Sequence, residues 1–171
     1  MKKQFIILFV FLSFTVITMS KPKVIKPNEI KYNSEAFNQI LENTREERRQ
    51  NAENANLQLA RKYVNYGIRQ DTLGYHIRAI ADFTMAISYD PNYADAYYFR
   101  ARAKSENGDQ PGAIADYNIA LNIDPNDGYS FFGRGVAKFE LGDKYGACAD
   151  WSKAGELGIT DAYNKIKFNC K

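Results

Sequence analysis

Few side chains in this 171-residue chain are of a type that does chemistry, and they are poorly placed for it. His76 is the only histidine, so general-base work would fall to it. Neither Cys148 nor Cys170 stands at a motif spacing from it, as a thiol nucleophile would need. At the start of a helical segment, a solvent-exposed or capping role suits His76 better. Glu106 and Glu140 would be the acid and base of a paired-carboxylate hydrolase. They lie 34 positions apart in a pattern that recurs at that period, which marks them first as a repeated surface residue. The sequence has no phosphate-cradling glycine loop, no metal-ligand cluster and no nucleophile elbow. The expectation is a protein that is not an enzyme, with no catalytic residue, no metal and no cofactor.

Those residues sit on an array that organises most of the chain. Windows of 34 residues starting at Ala60, Ala94 and Gly128 align without a gap, stacking Gly74, Gly108 and Gly142, then Ala79, Ala113 and Ala147. Phe83, Tyr117 and Trp151 keep the same step, as do Ala86, Ala120 and Ala154 and the acids Asp82, Asp116 and Asp150. A fixed period of this length signals a repeat architecture. Within the first window, residues 60–73 read as a helix closed by Gly74, since glycine accepts a left-handed backbone without a Cβ penalty. Residues 76–89 place Ile77, Ile80, Phe83, Ala86 and Ile87 on one helical stripe. Asp90-Pro91 stops that helix, and Asp124-Pro125 stops its counterpart. Each unit is therefore a helical hairpin. Gly67, Ala101 and Gly135 face the stacked alanines, because only small side chains let helix axes approach to about 8–10 Å. Arg100 and Arg134 recur as well and invite salt bridges to Asp82, Asp116 or Asp150, within a repeat or between neighbours.

The pattern resembles the tetratricopeptide repeat (TPR) family. Tyr63, Gly67, Ala79, Phe83, Ala86 and Pro91 fall at its signature positions in the first unit. Tyr97, Ala101, Ala113, Tyr117, Ala120 and Pro125 do so in the second, and Phe131, Gly135, Ala147, Trp151 and Ala154 in the third, where Ile159 replaces the family's proline. The resemblance implies an all-α fold, a right-handed alpha-alpha superhelix of three hairpins (60–93, 94–127 and 128–161). A leading helix is expected over 34–59 and a capping helix over 162–171, the latter covering the apolar side of the last hairpin. It implies a concave groove lined by Arg61, Val64, Asn65, Ile68, Asp95, Tyr98, Arg102, Tyr129 and Phe132, with Phe99 and Val136 divided between groove and core. Family members that hold chaperone C-terminal tails use lysines, asparagines and an arginine there. Val64, Ile68, Phe99, Tyr129 and Gly133 stand at those places here, so the implied partner is a protein or peptide other than a cytosolic chaperone tail.

Ahead of the array, Lys2 and Lys3, an apolar run from Phe5 to Val16, and the small residues Thr18 and Ser20 read as a signal peptide over 1–20. The run falls short of the roughly 20 apolar residues of a span. The expectation is a periplasmic or secreted protein without a stable membrane span after cleavage, an uncleaved N-terminal anchor being the alternative. Removing Lys2 and Lys3 lowers the formal net charge of +3 by two. A nearly neutral chain argues against a nucleic-acid partner. Lys21, Pro22, Lys23, Lys26 and Pro27 suit a flexible linker over 21–33. Phe37, Ile40, Leu41 and Thr44 then share a helix face, capped by Asn33 or Ser34. In the following charge run, Glu46 and Glu47 are set to oppose Arg45 and Arg49. In an oxidising compartment Cys148 and Cys170 would form a disulfide that staples the cap; two small buried hydrophobes are the other reading. Together these features suggest an exported adaptor that binds a partner, exported or envelope-associated, in its groove. An accessory subunit or enzyme of envelope processing, working through groove carboxylates, is the competing class.

Overall fold

Four glycines hold positive φ, Gly74 (78°), Gly108 (88°), Gly142 (87°) and Gly158 (92°), and each ends a helix. The closing hydrogen bonds repeat with them: Tyr75 N to Gln70 O, Asp109 N to Lys104 O, Asp143 N to Lys138 O and Ile159 N to Ala154 O, at 2.8–2.9 Å. This six-to-one bond satisfies a carbonyl that the helix end would otherwise leave open. In the computed structural model, which describes residues 27–170 with side chains from Ser34 onward, the described residues form seven helices and no strand. They are α1 (Pro27–Thr72), α2 (His76–Tyr89), α3 (Ala94–Glu106), α4 (Gln110–Ile123), α5 (Gly128–Glu140), α6 (Lys144–Glu156) and α7 (Thr160–Asn169). The signal peptide expected over 1–20 lies outside the described residues, as does the linker up to residue 26.

Three expected boundaries change. Pro27 opens α1, at a first helical position where its missing N–H costs nothing, so the linker ends earlier than 33. The leading helix does not stop at 59; it runs unbroken into the first helix of the first repeat. The cap begins at Thr160, ahead of 162, because Gly158 takes the place of the aspartate found in Asp90-Pro91 and ends α6 at Glu156.

The chain divides into two compact units, Met1–Glu46 and Glu47–Lys171. In the first, Phe37 and Ile40 are 60% and 62% exposed, and Arg45 pairs with Glu42 rather than with the acids that follow it. Arg49, in the second unit, bonds Glu53 at 3.0 Å. Such exposed pairs contribute only tenths of a kcal/mol.

In the second unit α3 packs on α4 and α5 on α6 as hairpins, while α2 meets α3, α4 meets α5 and α6 meets α7. Each hairpin closes over a residue without a side chain or with a methyl. A Cβ on Gly67 would stand 2.5 Å from the Phe83 ring, and one on Gly135 2.7 Å from Trp151. Phe83, Trp151 and the stacked alanines are fully buried, and Tyr117 nearly so. The apolar stripe of α2 is narrower than its spacing suggests: Ile77 is 72% exposed, while Phe83 and Ala86 carry the core.

The salt bridges left open by the sequence form within hairpins. Arg100 grips Asp116 through two bonds of 2.8 Å, and Lys104 reaches the same carboxylate at 2.8 Å. Arg134 and Lys138 treat Asp150 alike, through contacts of 2.6–2.9 Å. Each arginine also touches the preceding repeat, through Thr84 or Asn118. Asp82 does not take part, because Tyr66 and Gln70 stand where its cations would be. Burial without a cation raises its carboxyl above the ordinary range.

The same substitution should therefore have opposite consequences in different repeats. Asp116→Ala strands two cations that keep 16% and 21% exposure. We expect a loss of about 1–3 kcal/mol, below the 3–5 kcal/mol of a fully enclosed pair because both cations reach water. Asp82→Ala should show no loss. With its folded pKa above the unfolded one, the proton on Asp82 favours the fold at low pH, and that contribution disappears as pH rises through the folded value. Near neutrality the ionised group opposes folding. Urea midpoints of the two variants at pH 7 check this, and equal losses would refute it.

Candidate functional site

The first helices of the repeats, the second half of α1 with α3 and α5, stand side by side because their side chains interlock. Asp71 of α1 accepts from Arg102 of α3 at 2.7 Å, and Tyr98 of α3 meets Tyr129 of α5 with ring centroids 6.4 Å apart. Asp71 is buried, and its second oxygen lies 2.8 Å from His76 Nδ1. His76 is thus engaged with a carboxylate at the α1–α2 turn, and Arg102 is held rather than free. Arg102 also lies over the Phe99 ring, 5.2 Å from its centroid.

Of the residues expected to line the groove, Asp95, Tyr98 and Tyr129 come together. They enclose, with Phe99 and Asp127, a cavity of about 320 Å³ at the first turns of α3 and α5. Tyr129 is 62% exposed. Phe99 serves two surfaces, lining this cavity while stacking on Phe83 at 5.7 Å. Gly133 leaves room for Tyr117, whose ring and hydroxyl would collide with a Cβ there. Tyr117 lies tilted at 53° to Tyr98 with ring centroids 6.1 Å apart, so a buried aromatic backs the cavity wall.

Other expected groove residues lie elsewhere. Val64 is 4% exposed and belongs to the core with Ala60, Phe83 and Ala96, so it does not face a ligand. Ile68 packs against the same cluster, and Val136 against the third. Phe132 packs against the third cluster and borders a separate hollow of about 460 Å³ with Asp161, Lys165 and Phe168. Arg61 and Asn65 are exposed on α1. Glu106 and Glu140 are exposed at the C-terminal ends of their helices. Cys148 and Cys170 are joined in a disulfide.

Burial raises the Asp95 carboxyl above its ordinary range, and the nearby charges of Asp127 and Asp124 raise it further. Burial also raises the Tyr98 phenol, with the Arg102 charge opposing. Asp95 has no cation among its neighbours, whereas Tyr98 has Arg102 beside it. Sequence reasoning missed Asp71 and Asp127. Asp71 has no periodic signal, since Ser105 and Phe139 hold its place in the next repeats. Asp127 offered a local signal instead: an aspartate before a helical segment, it is the N-cap of α5 and accepts from Tyr129 N at 3.0 Å.

No protein-family model matches the sequence, and no curated protein does. Solved structures do match. The Arabidopsis OM64 TPR domain is similar at a TM-score of 0.64, with 24% identity, over 66% of this chain and 94% of its own. The second TPR of Spaghetti (RPAP3), bound to the HSP90 peptide SRMEEVD, gives 0.59 and 27% over 65% and 98%. The second TPR domain of the human RPAP3 protein, in complex with the HSP70 peptide SGPTIEEVD, gives 0.63 and 23% over 70% and 98%. These likenesses establish the fold as the all-α tetratricopeptide superhelix.

Proposed function

We propose that this chain is an exported adaptor that holds a segment of another protein against α1, α3 and α5 and performs no reaction. The observation that carries this reading is the cavity where Asp95, Tyr98, Phe99, Asp127 and Tyr129 converge on the exposed side of the first helices. Aromatic residues concentrate interface energy when a partner excludes water from them. A hollow between neighbouring repeats also offers an extended segment a place to anchor one side chain. The similar domains of RPAP3 that hold HSP90 and HSP70 peptides support the use of such a fold for peptides.

The partner is an exported or envelope-associated protein, and the chain is periplasmic or secreted. The leader-like residues 1–20 support this, as does the Cys148–Cys170 disulfide, a bond that persists in oxidising compartments. Among the described residues no helix is long and apolar enough to cross a membrane. A reaction is not assigned, because His76 is turned to Asp71 and both cysteines are spent in their bond.

A photocrosslinking side chain at position 129 tests the groove, with one at position 145 as control, since Tyr145 is 93% exposed on the second helix of its repeat. In the native envelope, position 129 should capture a partner that position 145 does not, and adding Tyr98→Ala should abolish the capture. The same partners at both positions, undiminished by Tyr98→Ala, would reject the groove.

A further inference from the structure

The cavity at the first turns of α3 and α5 is walled by rings and carboxylates and has no cation in its lining. Tyr98 makes angles of 58° with Tyr129 and 66° with Phe99, at centroid distances of 6.4 and 5.0 Å, so the rings form open corners rather than a closed stack. Aromatic faces carry negative potential and attract ammonium and guanidinium groups within about 6 Å. The Asp95 carboxylate accepts no hydrogen bond and pairs with no cation among the described residues. Asp127 uses its oxygens on Tyr129 N and the Ser130 hydroxyl, and a carboxylate has lone pairs beyond those two. The nearby cation, Arg102, stands beside the Tyr98 phenol but is tied to Asp71 and stacked on Phe99, so its charge is shared with Asp71 and it does not reach Asp95. Partial desolvation and the charges of Asp127 and Asp124 disfavour the charge on Asp95, which keeps an exposed side, and an incoming cation would relieve that repulsion.

We infer that this cavity receives the positively charged side chain, lysine or arginine, of a bound peptide segment. The ligand is thus basic, opposite in charge to the acidic SRMEEVD and SGPTIEEVD peptides held by the similar domains. The inference rests on the peptide-groove reading above and specifies its ligand. Arg61 is exposed on α1 and is not part of the cavity lining.

Three nonapeptide pools with randomised flanks and lysine, glutamate or norleucine at the centre test it by fluorescence polarisation on the full chain. The lysine pool should bind about tenfold more tightly than the glutamate pool, an advantage that shrinks as salt is raised. Asp95→Asn with Asp127→Asn should reduce that advantage to about twofold while leaving norleucine binding unchanged, because asparagine keeps the cap of α5 and the shape of both side chains. Asp95→Asn alone, away from the cap, should remove part of the preference without lowering stability.

Equal binding of all pools would leave the groove standing and overturn the cation. Tighter glutamate binding would overturn it in the same way. A lysine preference that survives both asparagine substitutions would place the receptor elsewhere. Failure of every pool to bind would remove the groove reading and this inference together.

Discussion

Trp151→Ala should destabilise the protein by about 3–5 kcal/mol, the range for truncating a fully buried large aromatic. Trp151 is 0% exposed and fills the third hairpin, where Gly135 leaves room for the indole and Phe139 packs on it at 5.5 Å. It also shares a core cluster with Ala162 of α7, and Lys165 lies over its ring at 5.9 Å, so the cap leans on the same side chain. Its fully buried partners Ala147, Ala154 and Ala162 are too short to swing into the space, and a cavity that does not collapse costs more. Trp151→Phe supplies the control. It copies Phe83 of the first repeat and removes an indole N–H that is buried without an acceptor. Its loss should be about 1 kcal/mol, the smaller cavity being partly offset by relief of the unpaired donor. Urea denaturation of the three proteins decides it. A Trp151→Ala loss under about 1 kcal/mol would mean that this residue does not hold the hairpin closed.

The repeating core was legible because its constraints recur. A ring that must lie over a glycine or alanine forces the same residue types at the same step in each hairpin. Three occurrences turn a weak preference into a pattern. What the sequence hid is what occurs once. Asp71 joins His76 to Arg102 across two repeats, yet its counterparts Ser105 and Phe139 give no hint of that role. Asp82 looks equivalent to Asp116 and Asp150 when only its own column is read; its difference lies in Tyr66 and Gln70, the missing cations.

The continuity of α1 was hidden for another reason. A repeat boundary at Ala60 is a boundary of packing, and no glycine or proline stands between residues 34 and 66 to end a helix there. The groove was half legible. First-helix positions name the residues near the concave side, but Val64 shows that one such position can turn into the core while Tyr129 stays open. Which way each goes depends on the size of its neighbours, and that is a property of the stack.

Breaking the Cys148–Cys170 disulfide should cost about 3 kcal/mol, the chain-entropy value for a loop of this length. The bond closes 22 residues and joins α6 to the end of α7, with Cα atoms 5.9 Å apart. Little else secures that end. α7 has ten residues and fully buries only Ala162, while Tyr163 and Phe168 are 58% and 73% exposed. A bond from the Tyr163 hydroxyl to Gly155 O at 3.0 Å, Lys165 over the Trp151 ring and the half-buried Ile166 are its other ties to α6 and the core. An isolated helix of this length is marginal in water, so α7 depends on docking. Cys148→Ser with Cys170→Ser should therefore lower the melting midpoint and act locally. Amide hydrogens of α7 should lose protection first, while those of α3 and α4, held by Ala113, Tyr117 and the Asp116 ion pairs, should keep theirs. Parent protein under a reductant that reaches both sulfurs should behave as the double variant does. An unchanged midpoint in both cases would show that the cap is held by packing alone, and uniform loss of protection across the second unit would show that the staple secures the whole stack.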